Sequence, residues 1–469
     1  MREFSNDMLA SLAYELPDEV LKYRMCGDFS KAEAAADRWL HRPVAQGLKD
    51  RLVLEKEMLR HLREDFPYTQ EQVLTLFREI LPDFKAADLM RLDQEGLAEW
   101  IFLDGEKHYI HNIVRNVTAK DDEIMQRVGL PSVKPEKKLL YETVKKMQEV
   151  GSASGRFRLR ASIRLTDDVF RPGMKLKAHL PIPAAQFQIS DVVLHAHSSG
   201  KVTVDPEDSP FRSICFEDTL TDNHEFFVEY SYTVKNVYHD FSDEDRKSAQ
   251  RSFVPDPEAD QYLAEQEPHI RFSPYLRALA AEIVGRETDP LAKARSIYDY
   301  ITTKVRYSFM REYFLIPDIP QYCARNLRGD CGVQALLFIT LCRICGIPAR
   351  WQSGLYAAPG DVGPHDWAQF YVEPYGWLFA DPSFGGSAFH DKDEMRRNFY
   401  FGNLDPFRMV ANNAFQQPFA NAKHFLPIDP YDNQSGEIES EERGFGRFEV
   451  VTTKELLAAG NGKDLLEKR

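Results

Sequence analysis

The sequence predicts a mixed fold of helices and strands in three successive parts: a helical block, a β-sandwich and a core built on one buried helix. Three observations carry this. From about residue 5 to 148 apolar residues recur at helical period. Between 156 and 234 the period changes to two. Beyond 328 a strongly apolar helix is followed by two aromatic, β-branched segments joined by a turn. A chain of 469 residues holds about three domains at ~150 residues each. The expected boundaries are 1–150 for the helical block, 151–240 for the sandwich, 241–410 for the core and 411–469 for an extension that completes or covers it.

In the first part, Ser30-Lys-Ala-Glu33 has the pattern of a capping box ahead of a helix. Val73, Leu74, Phe77, Ile80 and Leu81 form the apolar face of another, and a further helix runs from Lys137 to Val150. Asp104-Gly105 between two apolar runs predicts a hairpin turn. His108 and His111 stand three apart with no further ligand at metal spacing, so they are assigned to surface or packing.

Gly151-Ser-Ala-Ser-Gly155 is a flexible junction. After it Phe157, Leu159, Ala161, Ile163 and Leu165 alternate with Arg156, Arg158, Arg160, Ser162 and Arg164. That is a half-buried strand with a basic outer face, either solvated or turned to an acidic partner. Met174 to Leu180 and Phe226 to Val234 repeat the alternation, with turns between, as in a sandwich. His195 and His197 share one strand face, again without a third ligand.

In the core, Pro274 and Pro290 open two helices. Val305 to Phe309 is extended, and Arg311 to Asn326 reads as a loop beside the site. Cys331 then opens a helix whose apolar stripe is Val333, Leu336, Leu337, Thr340, Leu341 and Ile344. Gly346 and Pro348 end it. Free N–H groups and the dipole at a helix start favour a thiolate. The two following segments carry His365 and Asp381, with Glu373-Pro-Tyr-Gly376 as the turn that brings them near each other. Nucleophile, base and orienter are thereby supplied. Asp366 is a competing acid, but as the neighbour of His365 it should point to the other face of the strand. Cys342 and Cys345 form a C-x-x-C at a helix end and are assigned to packing.

Gly329-Asp-Cys-Gly, Cys345-Gly-Ile-Pro-Ala-Arg350, His365-Asp-Trp and Gly376-Trp-Leu-Phe-Ala-Asp-Pro382 together resemble the transglutaminase-like core of the papain-like cysteine enzymes. The resemblance covers about residues 280–390. It implies an α+β core with Cys331, His365 and Asp381 as a catalytic triad, and no cofactor. Such a triad would cleave a peptide or amide bond through a thioester, with water as the default acyl acceptor. A cross-linking transamidase is the alternative within enzymes, and an inactive binding or scaffold module the alternative outside them. The Cys331 N–H is one oxyanion donor. Cross-linking members of the family use an upstream tryptophan for the second, and this chain has none between Trp100 and Trp351. Tyr307 or Gln321 is the substitute. Trp367 is expected in the core or in the wall of the substrate site.

The formal charge of -14, with no basic stripe, argues against nucleic acid or an anionic membrane as partner. Six irregularly placed cysteines do not make a disulfide framework. No apolar run approaches the ~20 residues of a membrane span. The opening Met1-Arg-Glu-Phe lacks the pattern of a signal peptide, so a cytoplasmic location is expected. No metal site is expected, and the expected partner is a peptide or protein amide substrate.

Overall fold

A computed structural model describes residues 4–129, 135–460 and 466–467. The residues beyond Gly460, expected to be loosely held, lie almost wholly outside the described ones.

The N-terminal block is helical, with α1 (Gln46–Asp65) as its spine and α2 (Ile113–Lys120) at its edge. The hairpin forms at Asp104 and Gly105, both at positive φ, between Trp100–Leu103 and Glu106–Tyr109. The expected capping box at Ser30 is displaced. Helix Phe29–Leu40 is capped two residues earlier, by Asp28, which accepts from the Lys31 N–H. Aspartate is as good a cap as serine, so the better-placed oxygen takes the role. His108 Nδ1 donates to the Phe66 carbonyl, and His111 packs edge-on to Phe448.

The sandwich strands are β1 (Ser152–Leu165), β2 (Met174–Pro181), β3 (Ile189–His197), β4 (Lys201–Val204), β5 (Ser213–Leu220) and β6 (Phe226–Val237). One sheet is built on β2–β5–β4, the other on β1–β6–β3. They face each other across apolar side chains such as Phe216 and Phe226, which stack at 5.6 Å. The arginine row on β1 is occupied within the chain. Arg158 and Arg160 pair with Glu229, Arg160 also with Glu225, and Arg164 with Asp167.

The core opens with α3 (Pro274–Val284) and α4 (Pro290–Lys304), each capped by the residue before its proline, Ser273 and Asp289. The stretch expected as a loop from Arg311 to Asn326 contains a helix, α5 (Ile319–Asn326), capped by Asp318 with Pro320 in its first turn. Then come α6 (Cys331–Ile344), β7 (Ala349–Ala358), β8 (Asp361–Val372), β9 (Gly376–Ala380), α7 (Pro382–His390), β10 (Phe401–Gly402) and β11 (Arg408–Asn412). The strands form one antiparallel sheet in the order β10–β9–β8–β7–β11. A single buried stripe is expected on α6, but Cys331 through Arg343 are all buried, because α4, α5 and β8 enclose the helix.

Two C-terminal strands return to the sandwich. β12 (Glu437–Ser440) pairs with β2, and β13 (Val450–Gly460) pairs with β1 along its length. The sequence from Phe445 to Val451 reads as a strand added to the core sheet, but the strand starts at Val450 and joins the sandwich. β1 is long and alternating, and offers a matching open edge. The acidic, turn-prone composition of 429–442 predicts an exposed loop, but the stretch is largely buried through Glu439. Glu437 accepts from Lys423 and from the Ile428 and Asp429 N–H groups, which is how buried acids are satisfied here.

Candidate active site around Cys331

Asp330 caps α6 by accepting from the Val333 N–H at 3.2 Å, and the Tyr313 hydroxyl donates to the same oxygen at 2.5 Å. This fixes the first turn and with it Cys331. Gly332 is required by crowding. A Cβ there would lie 2.3 Å from the Tyr313 hydroxyl, 2.7 Å from Asp366 Oδ2 and 2.8 Å from the Trp351 ring.

The Cys331 thiol donates to Asp366 Oδ2 at 3.2 Å. Gln434, from the C-terminal segment, donates to Asp366 Oδ1 at 2.5 Å and to the His365 carbonyl at 3.0 Å. Burial, then the charges of Asp366 and Asp330, push the thiol well above its ordinary range. Burial, aided by Asp330, pushes Asp366 up to about 7. Burial likewise raises Asp330 to about 6.

His365 Nε2 and Asp381 Oδ2 are 2.7 Å apart, as the hairpin requires. Asp381 also accepts from the Ser383 hydroxyl and the Phe384 N–H at the head of α7. Arg408, wholly buried, bridges Asp381 at 3.1 Å and Asp405 at 2.9 Å. Burial alone would raise Asp381, but His365 and Arg408 outweigh it and hold the carboxyl below the usual range. Burial lowers the His365 imidazole despite Asp381.

The expected trio is thus joined at two of its members, while the third meets a different acid. The reason is strand alternation. Asp366, Ala368 and Phe370 face α6, where Phe370 packs on Phe338. His365 and Trp367 face the other way, and their rings stack at 6.0 Å. Asp366 does point opposite to His365 as expected, and that is the side that holds the sulfur.

Of the oxyanion candidates, Tyr307 belongs to this neighbourhood. Its phenol is raised by burial and then by Cys331, Asp330 and Asp366. Gln321 is engaged elsewhere, its side-chain oxygen accepting from Ser273 at 2.6 Å. Trp367 is fully buried and donates to Gln352 at 2.7 Å, so it packs the interior beneath His365 and walls no open groove. Cys342 is buried and Cys345 half-buried, and all six cysteines are free. Arg350 lies 3.8 Å over the Trp377 ring and donates to Gln369. Among the described residues no cluster of His, Cys, Asp or Glu is arranged to hold a metal ion, and no helix is long and apolar enough to cross a membrane.

Sequence reasoning passed over Arg408, Gln434 and Tyr313. All three reach the site from segments without a motif. For Asp366 the signal is in the sequence, in the alternation that turns it away from His365.

Residues 277–382 match the profile of the Transglutaminase-like superfamily. No curated protein matches the chain significantly. Among solved structures, a candidate cysteine protease from Cytophaga hutchinsonii is similar at 16% identity, covering 67% of this chain and 94% of that one, with a TM-score of 0.41. The periplasmic domain of TgpA from Pseudomonas aeruginosa is similar at 14% identity, covering 54% of this chain and 95% of its own, with a TM-score of 0.28.

Proposed function

From a chain that carries a transglutaminase-like core at residues 277–382, we propose a cysteine-dependent hydrolase of peptide or amide bonds that works through a thioester on Cys331. The observation that supports this is a free cysteine in the first turn of the core helix, its thiol hydrogen-bonded to a carboxylate that can accept its proton. The sulfur attacks the carbonyl carbon, the amine departs with a proton, and water cleaves the thioester. The Cys331 N–H supplies an oxyanion donor, and Tyr307 is the nearby hydroxyl for a second. Of the triad the sequence suggests, His365 and Asp381 are paired, and Arg408 anchors them. The substrate is a peptide or protein amide, and six free thiols favour the reducing cytoplasm.

A second reading, an inactive architectural module, is favoured by one observation. Burial and the charges of Asp366 and Asp330 push the thiol well above its ordinary range.

The deciding measurement is hydrolysis of a fluorogenic peptide-amide library, with Cys331→Ala alongside. Activity lost in the variant, with its melting temperature nearly kept, supports the hydrolase. Equal turnover by both proteins, or none by either, supports the module. Amine incorporation into a glutamine peptide in place of hydrolysis would mark a cross-linker.

A further inference from the structure

Resting on the reading of Cys331 as nucleophile, we infer that Asp366, and not His365, takes the proton of the Cys331 thiol and returns it to the leaving amine. Asp366 is the side chain that touches the sulfur, at 3.2 Å, and it does so from β8 on the face turned to α6. The imidazole one residue earlier is turned to the opposite face, held by Asp381 on one side and by the Phe384 ring at 4.7 Å on another. Bringing it to the sulfur would require reversing the side-chain alternation of β8 and breaking the hydrogen bond to Asp381.

Asp366 has the features a base needs. Gln434 occupies Oδ1, which fixes the plane of the carboxyl and leaves Oδ2 for the sulfur. A carboxylate of ordinary pKa, about 4, would be a poor acceptor at neutral pH. The surroundings correct this. Asp330 faces the pair from the head of α6, and Tyr313 donates to Asp330. Tyr307 approaches from the short strand Arg306–Tyr307 ahead of α6. Asp432 and Asp429 approach from the C-terminal segment, and Gln434 beside them contributes an amide. The charges of Asp330 and Asp429 disfavour its ionised form and raise its basicity, against hydrogen bonds from the thiol and from Asp432 that act the other way. Burial and Asp330 are the main causes that lift it to about 7.

The steps balance without a co-reactant. The S–H bond breaks as sulfur bonds to the carbonyl carbon, and the proton passes to Asp366 Oδ2. When the C–N bond breaks, that proton goes to the nitrogen and an amine leaves. Water then gives a proton to Asp366 as its oxygen bonds to the acyl carbon. The C–S bond breaks, and the sulfur recovers the proton.

The test is the pH dependence of Cys331 alkylation by iodoacetamide in the full chain, read by mass spectrometry of the Cys331 peptide. The expected wild-type rate climbs through an inflection near pH 7, following ionisation of the acceptor. In D366N the inflection disappears, and the rate near neutrality falls about tenfold or more. In H365Q the inflection keeps its position, whatever the absolute rate. An inflection that survives in D366N and vanishes in H365Q overturns the inference and assigns the proton to the imidazole. Should D366N fail to fold, the wild-type profile alone decides: a rate flat through neutrality that climbs only above about pH 9 overturns it. No labelling of Cys331 in the native chain would instead overturn the nucleophile reading itself.

Discussion

Asn116 holds Phe309 by both of its backbone groups, accepting from the N–H at 2.8 Å and donating to the carbonyl at 2.9 Å. Around that clamp, Lys120 donates to Ser308, Asp65 accepts from the Glu312 N–H, and His61 meets the Glu312 carboxylate at 2.5 Å. The segment so gripped contains Tyr307 and Tyr313, the two hydroxyls beside Cys331 and Asp330. The helical N-terminal block is therefore the mould in which one wall of the site is set.

Asn116→Ala leaves the part-buried N–H and carbonyl of Phe309 without their partner. The expected loss is about 1–3 kcal/mol by chemical denaturation. The alkylation rate of Cys331 should change with it, although Asn116 does not touch the cysteine. An unaltered denaturation midpoint would show the clamp to be dispensable.

Arg408→Met removes the cation shared by Asp381 and Asp405, both fully buried. Two uncompensated carboxylates then remain in the interior. A loss of about 3–5 kcal/mol is expected. Arg443→Ala, which breaks the solvent-facing pair with Glu449, should cost under about 1 kcal/mol in the same assay.

Gly332→Ala inserts a methyl where Tyr313, Asp366 and Trp351 already converge within 3 Å. Overpacking of this kind costs about 1–3 kcal/mol. The melting temperature should fall, and the thiol should lose its contact with Asp366, seen as a changed alkylation profile.

Asp366→Asn should change how stability varies with pH. Folded Asp366 keeps its proton until about pH 7, whereas the unfolded chain releases it near 4. Between these values the folded state binds more protons, so rising pH destabilises the wild type through this group, by at most about 1.4 kcal/mol per unit. The asparagine variant lacks that slope. Its stability relative to wild type should grow steadily from about pH 4 to 7 in urea titrations, and a constant difference would contradict the raised acid.

Much of the core could be read from the residues alone because its signals are local. Glycine and proline bracket α6, and Glu373-Pro-Tyr-Gly376 fixes the hairpin that joins His365 to Asp381. Alternation along β8 placed Asp366 and His365 on opposite faces. Which face holds the sulfur depends on how α6 docks on the sheet, and that is decided by packing between distant segments. Gln434 lies 68 residues beyond Asp366 and carries no motif. Asn116 lies 193 residues before Phe309. The pairing of β13 with β1 was hidden for the same reason: an alternating strand states its own buried face but not its neighbour.

The chain leaves β1 for β6 on one side and returns to it as β13 on the other. Everything between Val237 and Val450, including the whole core sheet, is thus a detour between the two strands that flank β1. No single cut can free the core from the sandwich. A protease nick in the long loop between β11 and β12 would leave both fragments fastened to one ladder of hydrogen bonds. Cysteine, carboxylate and amide should then travel together through damage that would dismantle a protein strung out bead by bead.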